Sequence, residues 1–292
     1  MTEEQRWQGV TCLLALRSVT TSDSRRDTGG QEARRQNSWS FAPGSPFRSM
    51  ALARFRAFRQ FNLDPQPSVV SSPSTLIPPV AEQFFPGDSL HSAIVRSLAL
   101  ARCISIKEVV ESFEVFQVVR KETRSSCVAD LCCGHGLVGM LMAVFEPRVE
   151  AVHLCDPRMP ESSARCLEAI VEVAPWMAGR VHYHSVRLEN VRDEIGFASA
   201  LATHACGALT DRCLDVAMGQ GCPIAVTPCC YAKRTSAGPP VLVRELGLET
   251  AVDTYRTHRL HEGGYHVKWR YLPETVTPMN RVIIATPMRE SH

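Results

Sequence analysis

Residues 127–139 read Cys127-Val128-Ala129-Asp130-Leu131-Cys132-Cys133-Gly134-His135-Gly136-Leu137-Val138-Gly139. Small and apolar residues run into an acid, three glycines follow at GxGxxG spacing, and the apolar stretch Leu137–Phe145 comes next. The pattern predicts a strand, a tight turn and a helix. Glycine allows positive φ and lets a ligand approach the backbone closely. The helix start then offers free N–H groups to whatever lies over the turn.

Two ligands suit such a turn. A dinucleotide would place its pyrophosphate there, and S-adenosylmethionine would place its amino-acid end there. Asp130 favours the second. A carboxylate at the end of the first strand repels a pyrophosphate but pairs with an ammonium.

C-terminal to this turn the chain alternates. Val149–Leu154 is a predicted strand ending in Cys155-Asp156, and Asp156 is placed to accept hydrogen bonds from ribose hydroxyls. Pro160–Val173 is a helix and Arg180–Val186 a third strand. Glu189 and Asn190 follow it, where an adenine ring would lie, although Asn190 suits a helix cap better. Phe197–Thr203 is a fourth strand leading into His204-Ala205-Cys206-Gly207, with Thr210 or Asp211 capping the next helix. Pro223–Thr227 is a fifth strand ending in Pro228-Cys229-Cys230-Tyr231, with Lys233 and Arg234 beyond. A helix from Val241 to about His261 precedes two strands, Tyr265–Tyr271 and Arg281–Ala285, that form a closing hairpin. Strand–helix alternation implies a Rossmann-like, doubly wound α/β sheet, mostly parallel, with one antiparallel strand from the hairpin. Asp130, Asp156, Glu189, His204 and Cys229 all fall at strand ends, where ligands of such sheets bind.

N-terminal to the turn, residues 1–62 read as a disordered extension. Met1–Arg59 holds ten Arg and no Lys, with many Ser, Gln and Gly. A basic stretch, Ala51–Phe61, has the look of an amphipathic helix. Residues 63–88 are rich in Pro and Ser and read as a linker, and Asp88-Ser89 starts a helix. Apolar residues from Leu90 to Val119 recur at helical spacing and predict two helices. Lys107 and Glu114 lie there, read as surface positions rather than cofactor contacts. The folded domain is then 89–288.

The chain has 292 residues, 45% hydrophobic, with a net charge of +2, which neither demands nor excludes a nucleic-acid partner. Its 12 cysteines include no CxxC pair, and many sit in apolar runs, as buried thiols do. This usage points to a reducing, intracellular compartment, the cytoplasm first. The Arg- and Ser-rich start also resembles a mitochondrial transit peptide, against which its acids count. No apolar run is long enough for a membrane span.

Four segments together resemble the class I S-adenosylmethionine-dependent methyltransferases. They are Asp130–Gly136, then His204-Ala205-Cys206-Gly207-Ala208-Leu209-Thr210-Asp211, then Pro228-Cys229-Cys230-Tyr231, then Thr277-Pro278-Met279-Asn280-Arg281. The resemblance covers roughly Ser89–Pro287. It is strongest to a divergent branch holding the methyltransferase-like domain of the glutathione-S-transferase C-terminal-domain-containing protein and the acceptor-stem tRNA 2′-O-methyltransferases. It implies a seven-stranded sheet and bound S-adenosyl-L-methionine. Asp130, Gly134 and Gly136 would lie near the methionine part, Asp156 at the ribose and the Glu189 region near the adenine; Cys132, His204 and Gly207 are further candidate cofactor contacts. No zinc-finger pattern accompanies it here.

Methyl transfer from a sulfonium is an in-line displacement in which alignment does most of the work. His204 is the candidate base where the acceptor must lose a proton. Cys229 is a candidate nucleophile if Lys233 or Arg234 lowers its thiol pKa. Tyr231 is a candidate wall of the acceptor pocket. No metal is expected, because His204, Cys206, Cys229 and Cys230 lack finger-like spacing. The acceptor is not named by the sequence; RNA is one class. Two other readings compete, a non-catalytic protein that keeps the fold to bind a partner and a nicotinamide-dependent oxidoreductase.

Overall fold

The computed structural model describes residues 53–203, 205–231 and 238–288. Ahead of the sheet come four helices, α1 (Pro67–Val70), α2 (Pro78–Phe84), α3 (Leu90–Ala101) and α4 (Ile106–Thr123). Then follow β1 (Cys127–Leu131), α5 (Leu137–Phe145), β2 (Ala151–Asp156), α6 (Glu161–Val173) and β3 (Val181–Ser185). The second half runs α7 (Val191–Glu194), β4 (Ser199–Thr203), α8 (Ala208–Gln220), β5 (Ile224–Thr227), α9 (Pro240–Leu246), α10 (Leu248–Glu262), β6 (Tyr265–Tyr271) and β7 (Arg281–Pro287).

The seven strands form one sheet in the order β3-β2-β1-β4-β5-β7-β6. The first five are parallel and β7 runs antiparallel between β5 and β6. This is the sheet that the alternation predicted. The interior strands β1, β4 and β5 are buried almost throughout, as parallel strands covered on both faces must be. Their side chains divide between two cores by the period-two rule. Val128, Val152, Leu154 and Leu201 face α3–α6. Ala129, Leu131, Ala200 and Val226 share the other core with α8 residues Cys213, Leu214 and Ala217 and with Leu260 of α10.

The predicted helix starts hold in part. Ser89 caps α3, its hydroxyl accepting from the Ser92 N–H at 3.2 Å. A reciprocal Ser105/Glu108 box opens α4. Three other readings are corrected. The cap of α8 is Gly207, not Thr210 or Asp211: the Thr210 hydroxyl instead donates to the Ala205 carbonyl, and Asp211 turns to an arginine described below. Asn190 stands before α7 without a side-chain cap bond. The single helix expected from Val241 to His261 is two, because Gly247 sits at φ 79°, ψ 159° and breaks the helical path.

Packing also begins earlier in the chain than composition suggested. Residues 53–62 hold no amphipathic α-helix; Arg59–Asn62 is a single 3-10 turn. Phe55, Phe58 and Phe61 are buried: Phe55 packs on Phe61, Phe58 and Phe61 meet Phe85 edge-on, and Phe58 also packs on Phe113. Glu114 is buried in α4, neither on the surface nor at a ligand. Its carboxylate accepts from the backbone N–H groups of Arg56, Ala57 and Phe58 at 2.7, 3.0 and 3.2 Å. Val70, Leu76, Ala81 and Phe85, within the Pro/Ser-rich stretch, are buried as well. Among the described residues no helix is long and apolar enough to cross a membrane.

Candidate donor site and thiol cluster

The turn between β1 and α5 is built from three left-handed residues, Cys132 (φ 53°), Gly134 (φ 55°) and Gly136 (φ 74°). The two glycines differ in what surrounds them. A Cβ on Gly136 would meet Leu154 Cδ1 at 2.6 Å, so this glycine is needed for packing. A Cβ on Gly134 would meet nothing within 4 Å, so this glycine faces open space. Gly139, on the third residue of α5, lies against β1 and β2, and its N–H donates to Asp130 Oδ2 at 3.0 Å. Asp130 is thus buried beneath the turn, where its charge opposes the positive end of α5. His135, between the glycines, accepts the Leu137 N–H on Nδ1 at 3.2 Å and sets Nε2 3.7 Å from Glu108 at the start of α4.

Beside the turn, at the carboxyl ends of β1, β2 and β3, opens a cavity of about 430 Å³, within the range of small-molecule sites. Cys132, Cys155, Asp156, Leu188, Glu189 and Leu209 are among the residues that line it. Asp156 ties the cavity to the turn: Oδ2 accepts from the Gly134 N–H and Oδ1 from the Arg158 N–H, both at 3.2 Å. The Cys213 thiol beside Cys132 holds the Cys132 thiol below its ordinary pKa. Glu189 stands at the rim, paired with Arg212 at 2.6 Å, both side chains more than half exposed. Cys132, Asp156 and Glu189 therefore line one cavity. Asp130, Gly134, Gly136 and Gly207 are not among the lining residues; Gly134 is joined to the cavity through its N–H bond to Asp156, and His204 lies outside the described residues.

A second convergence lies at the ends of β4 and β5. Thr203 and Thr227 are register partners, so the segments that leave them start side by side. Cys206 Sγ lies 3.0 Å from Cys229 Sγ, and Cys229 Sγ lies 3.6 Å from Cys230 Sγ. Burial pushes the Cys206 and Cys229 thiols up, opposite to the depression a thiolate nucleophile requires. Lys233 and Arg234 lie outside the described residues.

Beneath these thiols is a buried ionic network that the sequence did not reveal. Arg256, in α10, is wholly buried. It donates to Asp211 Oδ2 at 2.8 Å, to Asp253 Oδ1 at 3.0 Å and to the Gly207 carbonyl at 3.3 Å. Asp253 also accepts from the Tyr231 hydroxyl and from Arg281, each at 2.6 Å. The Tyr231 hydroxyl is thus committed to Asp253, and burial, then the Asp253 charge, pushes its pKa up. Asp211, Tyr231 and Arg281, each from a different one of the quoted segments, meet on one helix. The i, i+3 spacing of Asp253 and Arg256 was visible in the sequence; the burial that gives the pair its weight was not.

No curated protein matches the chain. Solved structures similar to it include an O-methyltransferase family protein from Burkholderia thailandensis, at 15% identity and TM-score 0.40, covering 80% of this chain and 70% of that one. An rRNA methylase from Streptococcus thermophilus shares 11% identity at TM-score 0.40, covering 61% of this chain and 96% of that one. Human N-acetylserotonin methyltransferase, solved in complex with SAM, shares 12% identity at TM-score 0.38, covering 72% and 62%. Residues 102–236, which carry the Gly134 turn, Asp156 and the three clustered thiols, match the family model described as a methyltransferase domain.

Proposed function

We propose that this protein transfers a methyl group from S-adenosyl-L-methionine, bound across the Gly134 turn and the adjoining cavity. One observation carries the reading. Asp156, at the end of β2, holds the N–H of a left-handed glycine whose missing Cβ leaves open space beside a cavity of about 430 Å³. Such a cradle admits a ligand backbone to backbone, and the acid beside it suits a ribose. The match of residues 102–236 to a methyltransferase domain supports the same reading.

The chemistry of the chain's own residues fits the group. Asp156 would take the ribose hydroxyls and Glu189, at the rim, would face the base. Asp130 acts one layer down, fixing the α5 start through the Gly139 N–H. When bound, the sulfonium supplies an electrophilic methyl, and alignment of the acceptor is what remains for the protein to provide. The resemblance to acceptor-stem tRNA methyltransferases makes RNA the first acceptor class to assay.

Isothermal titration of the full chain with S-adenosyl-L-methionine and with its demethylated product is the direct test. Binding is expected for both, and no heat at millimolar ligand would overturn the reading. Labelled-methyl transfer into total RNA, protein and small molecules then separates an enzyme from a fold retained for partner binding: the second predicts binding without turnover.

A further inference from the structure

We propose that Cys206, Cys229 and Cys230 form a binding site for one thiophilic metal ion of the zinc class, with a fourth position left to an exchangeable ligand. The three Sγ atoms lie within 4.8 Å of one another. Thiolates about 2.3 Å from a tetrahedral zinc stand about 3.8 Å apart, by the geometry of the tetrahedron. The observed separations of 3.0 and 3.6 Å fall short of that value by less than about 1 Å, so small side-chain rotations open the site to an ion. Adjacent cysteines are poor partners when they point apart. Here the turn after β5 brings both to the Cys206 side.

Preorganisation argues for a built site rather than a chance meeting. The residues that follow the ligands, Gly207 after Cys206 and Tyr231 after Cys230, are both fastened to the Arg256–Asp253 network. Both ligand-bearing loops are thereby held on one buried support, as metal ligands are held by the groups behind them. Three sulfur ligands select a soft or borderline ion over magnesium or calcium. Cys206 and Cys230 are exposed, so water or a substrate atom can reach the fourth position. Three protein ligands with an open fourth place mark a reactive rather than a purely structural zinc site. The site is distinct from the Gly134 turn, so its failure and that of the donor reading are separately observable.

The test is titration of the reduced, metal-free full chain with Co²⁺, followed by competition with Zn²⁺. One Co²⁺ per chain is expected, with intense sulfur-to-cobalt charge transfer that Zn²⁺ abolishes. The triple variant Cys206→Ser/Cys229→Ser/Cys230→Ser should lose the band, and the single variant Cys230→Ser, at an exposed position, should weaken binding at least about tenfold. Cys103→Ser, at the separate Cys103–Cys166 pair, should leave it unchanged. Absence of the band in the reduced parent, or its persistence in the triple variant, would overturn the proposal.

Discussion

The Gly134 turn separates two roles that look identical in sequence. Both Gly134 and Gly136 adopt positive φ, so an alanine at either carries a backbone cost of about 1–2 kcal/mol. Only Gly136 adds a clash, 2.6 Å from Leu154 Cδ1. Gly136→Ala should therefore lower the melting temperature markedly, because Leu154, in β2, is only 1% exposed and already packs against the turn. Gly134→Ala should lower it much less, yet reduce S-adenosyl-L-methionine affinity at least tenfold, because the new methyl group enters the space the ligand needs. Calorimetry on both variants checks this; equal affinity in Gly134→Ala and the parent would remove the turn from the donor site. The glycine spacing showed that a turn exists. It could not show which glycine faces a neighbour and which faces open space, since that depends on where β2 lies. Asp130 is a similar case: its position at the strand end was legible, but its side chain serves the helix start rather than the cavity.

At the scale of elements, the strands and their alternation with helices were legible in the sequence, while their order in the sheet and long-range docking were not. Glu114 shows why. On a helical reading it is one acid among alternating charges, and its partners are 56–58 residues away. Its carboxylate replaces three hydrogen bonds that the backbone of Arg56–Phe58 would otherwise make to water. Removing it takes the acceptor from all three donors, and the buried one, at Phe58, costs about 1–3 kcal/mol when left unmet. Glu114→Ala should therefore release the Phe55–Phe61 segment before the rest unfolds. Limited trypsin digestion should cut at Arg56 or Arg59 in the variant while the sheet domain stays intact; an unchanged digestion pattern would show that the phenylalanines alone hold the segment. The Arg256 network obeys the same logic. Its acids come from α8 and α10, and nothing local in either helix announces that they face each other. Breaking such a buried set by losing one partner costs about 3–5 kcal/mol, so Arg256→Leu should destabilise the fold, most of all around Gly207 and Tyr231.

For the whole molecule, the dependence of stability on pH follows from half-buried imidazoles. Burial lowers the pKa of His91, His153 and His184; the Arg120 charge adds to the effect at His91, and neighbouring histidines add to it at His153 and His184. Glu194 acts the other way on His184. His153 Nδ1 and His184 Nε2 are 2.8 Å apart, across β2 and β3, a bond that needs at least one unprotonated ring. A group whose folded pKa lies below its unfolded value of 6.5 contributes stability above that value, and the contribution is lost as pH falls below it. The unfolded chain takes up the protons first, and because all three rings are partly exposed, solvent screening keeps the effect of each modest. Glu114 has the opposite sign, because burial raises its pKa, so its protonation on acidification favours the folded state. Three groups against one leave the histidines dominant near neutrality, before most carboxylates titrate. The melting temperature should therefore fall between pH 7.5 and pH 5.5, by about the range expected for two or three groups. Replacing the central imidazole, His153→Gln, should flatten that fall, since it removes one titrating group whose pKa burial and the neighbouring His184 and His182 lower. Thermal melts of the parent and the variant across the window measure the difference, and parallel curves would place the acid sensitivity elsewhere in the fold.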